Sequence, residues 1–141
     1  MKNKTCSILL ALLLTLILVG CKAGPSLEIM PDDDSNTISI TANKAGISGG
    51  GGAGITVSEG QKLLIDSTLS KGEIRIKFFR DEAPANPDAS VDEILHTDEG
   101  PALDVIVNAA GTKEHPIDPG SYTIMVNVTK TTTGTIVISA K

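Results

Sequence analysis

The stretch that decides the fold is DPGSYTIMVNVTKTTTGTIVISA, residues 118–140. Apolar side chains occupy every second position from Tyr122 to Val128, and again from Ile136 to Ile138. The opposite face carries Thr123, Met125, Asn127 and Thr129 in the first run and Thr135, Val137 and Ser139 in the second. A period of two is typical of a β-strand with one buried face. The pattern therefore predicts two strands, over 121–129 and 134–140, joined through KTTTG.

The same alternation recurs along the chain after residue 36. Short runs of alternating apolar residues are separated by glycine or proline, and this arrangement predicts a small all-β protein with a single antiparallel β-sandwich of about seven strands over 37–141. One short helix is expected over 91–96, because Ser90 and Glu93 form a capping-box pattern. The expected strands are 37–42, 55–58, 62–66, 73–80, 102–108, 121–129 and 134–140.

The motif DPGSYTI, residues 118–124, resembles the tyrosine corner of immunoglobulin-like Greek-key sandwiches. In that family the tyrosine opens a strand, and its hydroxyl bonds to backbone a few residues upstream. The resemblance implies structural roles for Gly120 in the turn and for Tyr122 at the strand start. The chain has no Trp, and after residue 21 it has no cysteine, so it departs from antibody domains.

The N-terminus has a different character from the sandwich. Lys2 and Lys4 precede a nearly continuous apolar run over 6–19. A basic start followed by an apolar run of this length is typical of a signal peptide, and a membrane-spanning helix needs about 20 residues. We expect residues 1–20 to be removed on export.

Leu18-Val19-Gly20-Cys21 resembles the lipobox of bacterial lipoproteins. The resemblance implies cleavage before Cys21 and a diacylglyceryl thioether on its sulfur, and in this class the new amino group is often acylated as well. Two or more acyl chains anchor a protein stably, whereas one does not. The protein is therefore expected to be exported and anchored to a bacterial membrane or envelope by lipid on Cys21, with no other cofactor.

Residues 21–36 are expected to form the lipidated cysteine and a tether. Pro25, Pro31 and the run Asp32–Asp34 disfavour regular structure there. Fully extended, such a segment would span about 45 Å and lift the sandwich away from the lipid headgroups.

Charge and composition exclude several functions. All 17 acidic residues follow residue 20, and Lys2 and Lys4 are lost from the 12 basic ones, so ten remain and the net charge becomes −7. An acidic surface disfavours nucleic acid as a partner. The glycine-rich pattern at Gly49, Gly51 and Gly54 precedes a strand rather than the helix that nucleotide binding needs, and Ser48 in G-x-S-x-G lacks the helix of a hydrolase elbow.

The least ordinary segment is DEAPANPDASVDEILHTDEGP, residues 81–101. It is long for a sandwich connection, rich in acidic residues and free of basic ones, and long connections are often functional. The leading hypothesis is a non-catalytic binding or structural module with an envelope protein or wall component as partner. The alternative is an accessory module that binds calcium or polysaccharide through this loop. The weak metal-ligand candidates are Asp81, Glu82, Asp88, Asp92, Glu93, Asp98 and Glu99.

Overall fold

The computed structural model describes residues 24–81 and 100–141. Within them the chain forms eight β-strands and no helix, so the expected all-β class is confirmed. The helix expected over 91–96 lies outside the described residues. The strands are β1 (Ser26–Asp32), β2 (Thr37–Ala45), β3 (Ser48–Val57), β4 (Leu63–Ser67), β5 (Lys71–Arg80), β6 (Leu103–Val107), β7 (Gly111–His115) and β8 (Gly120–Ala140).

The strands form two antiparallel layers that share β8. One layer has the order β1-β2-β8-β4-β7 and uses the second half of β8. The other has the order β3-β8-β5-β6 and uses the first half. Inward-facing apolar side chains of both layers pack into one core cluster. The arrangement is the small antiparallel sandwich that the alternating pattern predicted.

The central element is β8, which runs without interruption for 21 residues. The sequence predicted two strands here, joined through KTTTG. Instead that connection is itself extended, and the strand bends at residues 131–134 as it passes from one layer to the other. Its first half pairs with β3 and β5, and its second half pairs with β2 and β4. A strand that changes sheets at a bend forms a corner of a sandwich.

The bend is fixed by Thr132, whose side chain is fully buried. Its hydroxyl oxygen accepts a 3.0 Å hydrogen bond from the Glu73 backbone N–H and donates to the Lys130 carbonyl oxygen at 2.6 Å. Gly134 follows with a φ of 139°, and a Cβ there would lie 2.6 Å from the Cα of Leu69. The bend therefore needs a buried hydroxyl at position 132 and a glycine at position 134.

The expectation of a tether over 21–36 is wrong for most of that range. Residues 26–32 form β1, which pairs with β2 along its whole length. Leu27 and Ile29 pack against the core. Pro31 is tolerated because β1 lies at the edge of its layer, where no further strand requires the missing N–H. Of the expected tether, only residues 22–25 lie between Cys21 and this strand.

The aspartate run closes the β1–β2 hairpin rather than forming a spacer. The Asp32 carboxylate accepts hydrogen bonds from the Ser35 hydroxyl at 2.8 Å and from the Asp34 backbone N–H at 3.2 Å. Asn36 adopts a positive φ of 48°, which asparagine tolerates better than most residues. Local side-chain bonding of this kind is typical of tight turns.

The glycine run at 49–54 lies within β3 and pairs with β8, although the sequence predicted a strand only from residue 55. A Cβ on Gly50 would lie 3.0 Å from the Cδ1 atom of Ile29. The missing side chain therefore lets Ile29 of β1 pack across the edge of the sandwich onto β3. Pairing with β8 from Ser48 to Val57 keeps this segment extended although it has little apolar content.

The sandwich has two distinct ends. We call the end where β8 bends the bend end; it carries the connections 45–48, 68–72, 108–111 and 130–134. We call the opposite end the corner end; it carries the connections 32–36, 58–62 and 116–119, together with both described flanks of the segment 82–99. β1 begins at the bend end, because Ser26 is paired with Asn43.

No helix within residues 24–81 and 100–141 is long and apolar enough to span a bilayer.

We predict that Thr132→Val destabilises the domain by about 1–3 kcal/mol, because the buried N–H of Glu73 loses its acceptor while the side-chain volume is kept. The measurement is the free energy of unfolding in urea. The matched control is Thr131→Val, since the neighbouring Thr131 is exposed; its expected change is within about 0.5 kcal/mol. Equal effects at the two positions would contradict the role assigned to Thr132.

Candidate functional site

Tyr122 sits at the corner end, where β8 begins, and only 1% of its surface is exposed. Its hydroxyl donates a 2.6 Å hydrogen bond to the carbonyl oxygen of Asp118. This is the upstream backbone contact that the tyrosine-corner pattern implied. Burial raises the pKa of Tyr122, so the phenol stays protonated and remains a donor.

Arg80 completes this corner by donating from Nη2 to the carbonyl oxygen of Pro119. A Cβ on Gly120 would lie 3.1 Å from the Nε atom of Arg80. The glycine therefore leaves room for the guanidinium, which ties the end of β5 to the turn before β8. The sequence pattern identified Gly120 and Tyr122 but not Arg80, because Arg80 is 39 residues from its partner.

Of the seven acidic candidates for metal binding, Asp81 lies within the described residues. Glu82, Asp88, Asp92, Glu93, Asp98 and Glu99 lie outside them. The Asp81 backbone N–H donates to the carbonyl oxygen of Ser121 at 2.9 Å, and its carboxylate accepts from the Thr123 hydroxyl at 2.6 Å. Asp81 is thus fixed at the corner end, where the acidic segment departs from β5.

A surface hollow of about 360 Å³ lies beside Asp81 and is also lined by Asp32 and Asp33. The carboxylate of Asp32 is already engaged in the β1–β2 turn, and the hydrogen bonds from Ser35 lower its pKa. Within residues 24–81 and 100–141 no group of three or more His, Cys, Asp or Glu side chains is placed to hold a metal ion. The described part of the corner end is therefore acidic, but its carboxylates are not arranged as a metal site.

A second hollow, of about 70 Å³, opens between the edge strands β6 and β7. Val105 and Val107 line one side, and His115 lines the other. The Nε2 atom of His115 is enclosed and has no hydrogen-bond partner among the described protein groups. Burial, reinforced by the charge of Lys113, lowers the pKa of His115. The hollow has room for only a few water-sized groups.

The G-x-S-x-G pattern has no catalytic geometry. Ser48 is the first residue of β3, and its hydroxyl donates to the Gly46 carbonyl oxygen at 3.0 Å. A nucleophilic serine would instead point to a general base at the junction of a strand and a helix.

Charged side chains on the outer surface form ion pairs between neighbouring segments of the sandwich. Arg75 on β5 donates two hydrogen bonds to the Asp104 carboxylate on β6, from Nε at 2.8 Å and from Nη2 at 2.5 Å. This contact lowers the pKa of Asp104. Lys62 and Glu114 pair at 3.0 Å. Exposed pairs of this type add little stability, and they align edge strands rather than form a reactive centre.

Comparisons with known proteins identify no family. A scan against models of protein families finds no match, and a search of curated proteins also finds none. Among solved structures, Drosophila melanogaster CENP-C bound to CAL1 is 12% identical, with a TM-score of 0.35 and coverage of 99% of this chain and 100% of that one. The Drosophila melanogaster CENP-C cupin domain is also 12% identical, with a TM-score of 0.34 and the same coverage. Similarity at this level carries no argument about this chain.

We predict that Tyr122→Phe destabilises the domain by about 1–2 kcal/mol, because the hydrogen bond to Asp118 is lost in a buried setting. The unfolding free energy in urea measures the effect. Ser121→Ala, at the exposed neighbouring position, serves as control and should change stability by less than about 0.5 kcal/mol. An unchanged denaturation curve for Tyr122→Phe would show that the hydroxyl bond does not support the corner.

A pH-dependent loss of stability is predicted from His115. Its pKa is lower in the folded protein than in the unfolded chain, so the unfolded chain binds the proton more readily. The resulting stability is present above the unfolded pKa of about 6.5 and is lost as the pH falls toward the folded value.

The measurement is the difference in unfolding free energy between pH 7.5 and pH 5.5 for the natural chain and for His115→Gln. Carboxylates and His96 are shared by both proteins, so their contributions largely cancel. We expect a smaller loss in His115→Gln. An identical loss in the two proteins would contradict the prediction.

Proposed function

We propose that this protein is a bacterial envelope lipoprotein whose β-sandwich is a non-catalytic binding or structural module. The observation that carries the proposal is Leu18-Val19-Gly20-Cys21 directly after a basic start and an apolar run. Acyl chains on Cys21 would retain the exported domain at a membrane, because each buried methylene adds about 0.8 kcal/mol of membrane affinity.

The cysteine usage supports this proposal. The chain has two cysteines, and Cys6 belongs to the segment that would be removed. Cys21 would then be the single cysteine of the mature chain, without a disulfide partner. A lone cysteine at the cleavage point has a ready explanation as the attachment site for lipid, whereas the sandwich itself is held together by its apolar core.

A module that binds or supports a partner also agrees with the shape of the domain. The core is filled by interlocking apolar side chains. The hollow at His115 is too small for most metabolites, whose pockets occupy about 300–1,000 Å³. The other hollow described above, of about 360 Å³ beside Asp81, lies open at the surface. We therefore propose recognition through an exposed surface, with an envelope protein or a wall component as the partner and with neither nucleic acid nor nucleotide.

We predict that Cys21→Ala in the full chain abolishes acylation and moves the protein from the membrane fraction to the soluble fraction. The measurements are the mass of the protein expressed in a bacterial host and its distribution after ultracentrifugation. Loss of the acyl chains should lower membrane retention by roughly tenfold or more.

The matched control is Cys6→Ala, because the same substitution at Cys6 removes a thiol from the segment ahead of the cleavage point. This variant should retain the acylated mass and the membrane location. The proposal fails if Cys21→Ala has the mass and membrane distribution of the natural chain.

A further inference from the structure

The position of β1 sets a short distance between the proposed anchor and the folded domain. Cys21 is five residues from Ser26, the first residue of β1. Five residues span at most about 17 Å. This is about half the length of the ten-residue strand β3, which extends about 33 Å. An anchor on Cys21 would thus hold the domain at the membrane surface by its bend end.

The bend end differs from the corner end in charge. Its connections, residues 45–48, 68–72, 108–111 and 130–134, contain Lys71 and Lys130 and no acidic residue. Lys44 lies next to the first of them and is exposed. Glu73 is the nearby carboxylate on β5, and it is engaged by the Thr129 hydroxyl and by Lys130.

The corner end is strongly acidic. Its described connections contain six carboxylates and one lysine, Lys62. Arg80 and Lys141 lie beside these connections, so the acidic residues still outnumber the basic ones by six to three. Both described flanks of the segment 82–99 lie at this end, since Asp81 bonds to Ser121 and Ala102 bonds to Phe78. The carboxylates are Asp32, Asp33, Asp34, Glu59, Asp81 and Asp118.

The bend end also carries an exposed apolar side chain. Ile47, at the tip of the β2–β3 hairpin, is 88% exposed. It borders a groove of about 450 Å³ that is lined by Pro25, Ser26 and Leu27, so it lies beside the chain that leads to Cys21. An exposed isoleucine beside lysines is the combination that binds an interface of anionic headgroups and acyl chains.

We infer that the bend end is a second membrane contact, which docks on an anionic phospholipid surface with Ile47 inserted among the headgroups and with Lys44 and Lys71 facing lipid phosphates. This inference rests on the proposed anchor at Cys21. The contact orients the sandwich with its acidic corner end away from the membrane. The reverse orientation would bring six carboxylates toward lipid phosphates and leave Ile47 in water.

The test places a fluorescent label at either end of β2 in the full, lipidated chain. Gly46→Cys introduces a thiol in the β2–β3 connection at the bend end, where an added Cβ meets nothing within 4 Å and Ile47 is kept. Asp33→Cys introduces one in the β1–β2 turn at the corner end, as a matched control. Each labelled protein is reconstituted into vesicles of phosphatidylcholine and phosphatidylglycerol that contain a lipid with a nitroxide on its headgroup. Intact mass first establishes whether Cys21 is acylated.

We expect the nitroxide to quench the label at residue 46 at least twice as strongly as the label at residue 33. Lys44→Glu combined with Lys71→Glu should reduce the quenching at residue 46 while the protein stays on the vesicles through its acyl chains. Unchanged quenching in this variant would mean that the short tether alone holds the bend end near the lipid, and it would overturn the inference. An acylated protein with equal quenching at both positions, or with stronger quenching at residue 33, overturns this inference and leaves the proposed anchor intact. A protein without acyl chains on Cys21 overturns both.

Discussion

The structure depends on one constraint, which is that a single strand must serve as a central member of both layers. β8 can do so only by bending at residues 131–134, and the bend requires a buried hydroxyl at Thr132 and a glycine at position 134. Because its two halves pair with β3, β5, β2 and β4, every other strand takes its position from β8 directly or through one neighbour. β1, β6 and β7 pair with β2, β5 and β4, and they form edges.

This constraint also gives the molecule its two ends. The bend in β8 brings the connections of residues 45–48, 68–72 and 108–111 together at one end, while the tyrosine corner gathers the acidic turns at the other. The two ends differ in charge because all acidic residues of the described connections lie at the corner end. A domain anchored through Cys21 would therefore present its acidic corner end to its surroundings. Surface charge influences which partners approach and how fast they associate.

The sequence predicted the strands that alternate in hydrophobicity, since that pattern reports directly on burial of one face. The tyrosine-corner resemblance also implied that the Tyr122 hydroxyl bonds to backbone a few residues upstream, without identifying Asp118. It did not predict β1, because Pro31 and the aspartates resemble a linker unless the edge position is known. It missed β7, whose residues Thr112–Glu114 are all exposed and show no alternation.

The bend in β8 could not be predicted for a different reason. The polar run KTTTG has the composition of a hairpin connection, and only the pairing of distant strands keeps it extended. The contact of Arg80 with Pro119 and the contrast in charge between the two ends could not be predicted either, because both depend on contacts between residues far apart in sequence. The lipid anchor is a local motif, so sequence alone was sufficient to propose it.

The most direct measurement for the central claim is amide hydrogen exchange of the lipidated chain on phosphatidylglycerol vesicles, compared with the same protein in a neutral detergent. A bend end docked on the membrane predicts slower exchange on vesicles at residues 45–48 and 68–72, with exchange at residues 33–36 and 58–61 of the corner end unchanged. Slower exchange at the corner end, or no difference at either end, would contradict it.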